Sequence, residues 1–145
     1  MAESRFVYIT YIRSPAGTVF AALTDPDQNR LFWGGYHQRS TWAVGADFAI
    51  VGPEGRAWDE GKVLAFEPPN RFEVSWTHLH DEAMKAEGVS KCRFELAPLG
   101  AMTKLTVTHV SPAPDSKLIG AVSTGWPMIC SSLKSLLETG QPLGA

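Results

Sequence analysis

This sequence has little of what usually announces a chemistry. Only two of its 145 residues are cysteines, Cys92 and Cys130, and neither sits in a CxxC pair or a Cys/His cluster, so the spacings of metal sites and redox motifs are missing. Both read as reduced core thiols. An excess of one charge is missing too: 13 Lys and Arg against 15 Asp and Glu leave a net charge of −2, which gives no electrostatic footprint for nucleic acid or an anionic membrane. No apolar run approaches the roughly 20 residues that span a bilayer, and residues 1–5 (MAESR) lack the apolar core of a signal peptide. A cytoplasmic protein that does not insert in membranes is the expectation. There is no nucleophile elbow, phosphate-cradling glycine loop or dinucleotide fingerprint, so no cofactor is expected. What remains is a chain with 44% hydrophobic and 19% charged residues, enough apolar material for one domain over residues 1–145 with a substantial core.

The clearest element is near the end. Over residues 125–139, Trp126, Ile129, Cys130, Leu133, Leu136 and Leu137 recur at i, i+3, i+4 and i+7, one stripe of an α-helix. Pro127 fits its first turn, and Gly140 followed by Pro142 fits its end. A stripe of that size needs a partner surface.

The partner is read from the rest of the chain. Residues 6–12 (FVYITYI) have strand composition. Ser14-Pro15 then offers an N-cap and a helical first position for a short helix ending at Thr24-Asp25-Pro26, and residues 26–32 suit a second, with Trp33 left at the joint. From Arg39 apolar and polar residues alternate, giving strand-like pieces over residues 39–44 and 47–51, then 56–66 across the turn Gly52-Pro53-Glu54-Gly55. Residues 71–77, 90–96 and 103–110 alternate in the same way, with residues 81–88 as a charged connection. Residues 111–124 read as loop, with a short helix or lid at 117–122. Strands and helices segregated in this order give an α+β fold: a curved antiparallel sheet of six to seven strands around a long C-terminal helix, with two short helices after strand 1.

Several segments resemble a known family. They are Ser14-Pro15 with Val19-Phe20-Ala21-Ala22-Leu23-Thr24-Asp25-Pro26, then Trp33-Gly34, Val44-Gly45-Ala46 and Gly61-Lys62-Val63-Leu64. Pro68-Pro69-Asn70-Arg71, Ser75-Trp76, Leu105-Thr106-Val107-Thr108-His109 and Gly125-Trp126 complete the set. In this order they resemble the SRPBCC (START/Bet v 1-like) superfamily, in the branch similar to the C-terminal domain of the activator of heat-shock protein 90 ATPase. The resemblance implies a helix-grip fold enclosing an apolar cavity. It does not imply one reaction, because members include binding proteins, cyclases, hydrolases and chaperone-associated domains. The chain departs from the family at Phe32-Trp33, where relatives often carry two tryptophans, and at Ser111-Pro112, where many have an acidic residue and glycine.

The inward set expected around a ligand is Trp42, Phe48, Phe72, Val74, Trp76, Phe94, Leu105 and Val107 from the sheet and Trp126, Ile129, Cys130 and Leu133 from the helix, with Trp33 at the joint. Each could equally be plain core packing. Among polar residues His109 continues the buried face of Leu105 and Val107, where an imidazole would orient a ligand or act as acid or base, or else be a hydrogen-bonded core histidine. His78 shares the side of Trp76; with His80 it lacks a third ligand, so no metal site is expected. His37 shows no partner. Three readings follow: binding of a small hydrophobic or amphipathic molecule; a module that binds a chaperone partner in stress response; and a cavity enzyme of polyketide cyclase type using His109, which a single histidine without an orienting carboxylate supports thinly. The chain could work as a monomer or a homodimer.

Overall fold

The computed structural model describes residues 2–143. Strand β1 (Ser4–Ile12) leads to helices α1 (Ala16–Thr24) and α2 (Pro26–Phe32), followed by β2 (His37–Ser40), β3 (Asp47–Val51), β4 (Ala57–Glu67) and β5 (Arg71–His78). A short helix α3 (Glu82–Ala86) precedes β6 (Ser90–Leu99), β7 (Met102–Ser111) and the long helix α4 (Lys117–Thr139). The seven strands form one antiparallel sheet in the order β1-β7-β6-β5-β4-β3-β2, so β1 and β2 are its edges. The sheet is curved and α4 lies across β1 and β7, giving the helix-grip architecture.

Alternation builds the concave side. On β5 Phe72, Val74 and Trp76 are buried while Arg71, Glu73 and Ser75 are half-exposed, and on β6 Cys92, Phe94 and Leu96 repeat the pattern. Phe72 and Phe94 stack at 4.5 Å between ring centroids. Cys130 and Leu133 of α4 and Val19, Phe20 and Leu23 of α1 close this core. Each fully buried side chain of this size contributes about 1.5–3 kcal/mol.

Four expectations are corrected. Helix α4 begins at Lys117, eight residues before the expected start, which places Pro127 inside the helix and makes residues 117–122, expected as a short helix or lid, its first turns. The start is set by two caps: Ser116 Oγ accepts from the N–H of Ile119 at 3.0 Å, and the Glu87 carboxylate, reaching over from the end of α3, accepts from the N–H of Lys117 at 2.7 Å and from the Ser116 hydroxyl. Residues 81–88 contain a helix rather than a plain connection, because Asp81 caps it by accepting from the N–H of Met84. Residues 39–44 do not form one strand. β2 stops at Ser40, whose hydroxyl accepts the N–H of Trp42 at 2.9 Å and donates to the carbonyl of Asp47 at 2.7 Å, and Trp42 turns into the left-handed region at φ 64°. Ser14 does not cap α1: Pro15 occupies the N-cap position with no side-chain bond.

Among the described residues no helix is long and apolar enough to cross a membrane.

Candidate functional site

A cavity of about 820 Å³ lies between the first half of α4, the end of α2, and the strands β4 and β5. Its size follows from the local chain. Helix α2 runs out at Phe32, and Gly34 and Gly35, at φ 58° and 86°, carry the chain around to β2. A Cβ at Gly35 would come within 2.9 Å of the Pro53 ring, so glycine lets this turn close against the β3–β4 loop. The turn presents Trp33 and Tyr36 to the cavity. Opposite them α4 supplies Leu118, Val122, Trp126 and Ile129, and the sheet supplies Trp58, Asp59, Trp76 and His78.

Of the residues expected at a ligand, Trp33, Trp76, His78, Trp126 and Ile129 line this cavity together. Trp126 meets Trp33 at 5.5 Å and Trp76 at 5.6 Å, both edge to face. The structure does not bring the others to it. Phe48, Phe72, Val74, Phe94, Leu105, Val107, Cys130 and Leu133 are packed into the core behind it. Trp42 stacks on Phe66 and meets Phe72 edge to face, with its indole N–H donating to the carbonyl of Thr24 at 3.2 Å. Burial pushes the Cys130 thiol up to about 12 and holds that of Cys92 well above the ordinary range, so neither is a thiolate at neutral pH.

His109 also sits behind the cavity rather than in its wall, fully buried between Trp76 and Trp126. Its Nδ1 accepts the indole N–H of Trp126 at 3.2 Å, which leaves the ring hydrogen on Nε2. Nε2 lies 3.0 Å from Ser90 Oγ, and the Ser90 hydroxyl donates to the Trp76 carbonyl at 2.8 Å, so Nε2 is the donor to Ser90. Both nitrogens are spent on the protein. Burial holds the pKa down to about 4, so the ring stays neutral near pH 7 and the role expected for it in catalysis has no free atom to act through.

The polar feature of the cavity is a pair that the sequence reading did not assemble. Asp59 on β4 and His78 on β5 are cross-strand partners. The Asp59 Oδ1 atom accepts from His78 Nδ1 at 2.8 Å and from the Trp76 indole N–H at 2.9 Å. Asp59 is 8% exposed; burial raises its pKa, the bonds from His78 and Trp76 pull it back, and the net position is above the usual aspartate value. A carboxylate holding an imidazole by one nitrogen fixes its tautomer and orientation. A register shift between Val63 and Ala65 in the β4–β5 hairpin is what sets the two opposite each other. Among the described residues no three His, Cys, Asp or Glu side chains gather as a metal site would require.

The family described as "Activator of Hsp90 ATPase homolog 1-like protein" matches residues 13–138. No curated protein matches. Among solved structures, CalU16 from Micromonospora echinospora superposes with a TM-score of 0.76 at 22% identity, covering 95% of this chain and 78% of that one. Protein MLL2253 from Mesorhizobium loti gives 0.79 at 26% identity, with 93% and 97% covered. The Aha1 dimer from Colwellia psychrerythraea gives 0.76 at 19% identity, with 94% and 98% covered.

Proposed function

This chain belongs to the activator of Hsp90 ATPase homolog 1-like family, and from that premise and the cavity we propose that it binds a small hydrophobic or amphipathic molecule between its sheet and α4. The observation that supports this reading is the 820 Å³ space walled by Trp33, Tyr36, Trp58, Trp76 and Trp126. Folded chains pack their interiors densely, and this one does so around Phe72, Phe94 and Leu133 while leaving a ligand-sized volume beside them. Mostly apolar walls with a few placed polar groups, here Asp59 and His78, are the usual make-up of a small-molecule site. Titration with apolar fluorophores and lipids tests the reading, with tryptophan quenching as the signal. Saturable binding that Ala121→Trp blocks by filling the space supports it; a panel giving no saturable binding removes it.

The family match also favours a second reading, a module that docks on a chaperone. The outer side of the edge strand β1 carries Val7, Ile9 and Tyr11, each 45–47% exposed, an apolar stripe of the kind a protein partner would cover. Pull-down with Hsp90 and an ATPase assay decide it, and absence of association ends it. The cyclase-type reading rested on His109, whose nitrogens are both bonded within the protein, and is not carried forward.

A further inference from the structure

We infer that Asp59 and His78 form a hydrogen-bond-accepting subsite in the cavity wall that selects an aromatic hydroxyl compound, a phenol or enol, over the matching ether and over a carboxylate. The inference rests on the cavity-binding reading and narrows it to one class of ligand.

An ionised carboxylate can only accept, so the 2.8 Å contact between Asp59 Oδ1 and His78 Nδ1 places the ring hydrogen on Nδ1. In the neutral ring Nε2 then carries a lone pair. Among the described residues Nε2 has no protein partner, nor does Asp59 Oδ2, while Oδ1 is already shared between His78 and Trp76. Both residues line the cavity. This stretch of wall therefore offers two acceptors and no free donor, and a bound molecule satisfies it with an O–H. Elsewhere on the cavity wall Arg30 is half-exposed and paired through one nitrogen with Asp27 at 2.7 Å, and the His80 Nε2 atom is 2.9 Å from the carbonyl of Ala57. A ligand carboxylate placed at this pair would face the Asp59 charge. An ether would leave the acceptors dry and unpaired, which costs free energy that the hydroxyl avoids. The aromatic rings around the pair suit a flat apolar body.

The test is the affinity of the whole chain for 2-naphthol, 2-methoxynaphthalene and 2-naphthoate at pH 8. The expected order is naphthol, then the ether, then the carboxylate, with the first step about tenfold, the scale of one hydrogen bond. His78→Phe is expected to keep the ether's affinity and reduce the hydroxyl preference, because Asp59 Oδ2 remains; Asp59→Asn is the second variant, and circular dichroism reports whether each is folded. Equal affinities in the wild type, or a preference that survives undiminished in both folded variants, overturn this inference and leave the cavity reading standing. No saturable binding by these three or by other apolar probes removes the cavity reading, and this inference with it.

Discussion

The indole N–H of Trp126 is bonded to Nδ1 of His109 across 3.2 Å, and that one contact sets the direction of a buried chain running through Ser90 to the carbonyl of Trp76. The chain ties α4 to β7, β6 and β5. Trp126→Phe keeps most of the ring and removes the donor, leaving Nδ1 of a fully buried histidine unpaired. The expected loss is about 1–3 kcal/mol of unfolding free energy, measured by urea denaturation. The nitrogen chemical shifts of His109 should report hydrogen on Nε2 in the wild type; hydrogen on Nδ1 would refute the assigned direction.

The same histidine predicts an acid-side loss of stability. Its folded pKa is about 4, against about 6.5 in an unfolded chain. Between those values the unfolded chain binds a proton that the folded chain refuses, so stability falls as pH drops through 6.5 and the loss is complete near 4. A gap of two to three pK units corresponds to on the order of 3 kcal/mol. Urea midpoints followed from pH 7 to 4.5 should decline in the wild type and flatten in His109→Gln. An unchanged slope in the variant would assign the titration elsewhere.

Glu87 is expected to hold the start of α4. Burial works to raise its pKa, but the bonds from Ser116, the N–H groups of Lys117 and Leu118, and Ser111 outweigh it and hold the carboxylate below its usual value. This contribution is present at neutral pH and is lost as pH falls through the folded pKa, below the ordinary glutamate range. Glu87→Ala should cost about 0.5–2 kcal/mol, the range for a lost helix cap. Amide exchange at Lys117 to Ile119 should quicken while that of residues 130–137 holds; uniform quickening would mean the cap acts on the whole fold.

Two glycines should respond in opposite directions. A Cβ on Gly61 would fall on the backbone carbonyl of Ser75, so Gly61→Ala must push β4 from β5 and is expected to lower stability by about 1–3 kcal/mol. At Gly17, inside α1, a Cβ meets nothing within 4 Å, and Gly17→Ala should raise stability by about 0.5–1 kcal/mol. Thermal melts of the two variants check both signs.

The periodic parts of the chain were legible: β3 and α2 fall where alternation and proline placed them, and Phe72, Val74, Phe94 and Leu105 are buried as their spacing implies. What failed depended on distant partners. The start of α4 was hidden because Glu87 lies 30 residues before Lys117, and Pro112, Pro114 and Gly120 make the intervening residues read as loop. Trp42 alternated correctly, but Ser40 captured the N–H that a strand would have spent on its neighbour. The Asp59–His78 pair was hidden by a bulge. Counting from the Phe66–Phe72 pair without it sets Glu60 opposite His78; the register shift between Val63 and Ala65 moves Asp59 there instead. Asn29 and Gln38, both buried, were also missed. Their amides bond the end of α1 to α2 and β2, and polar residues with no period carry no signal of burial.

Trp76 and Trp126 each spend their single N–H on a protein partner, one on Asp59 and the other on His109. An indole has no other hydrogen-bonding atom. A guest resting on these two rings therefore meets them as hydrocarbon alone, and they can grip its flat faces without distinguishing one end of it from the other.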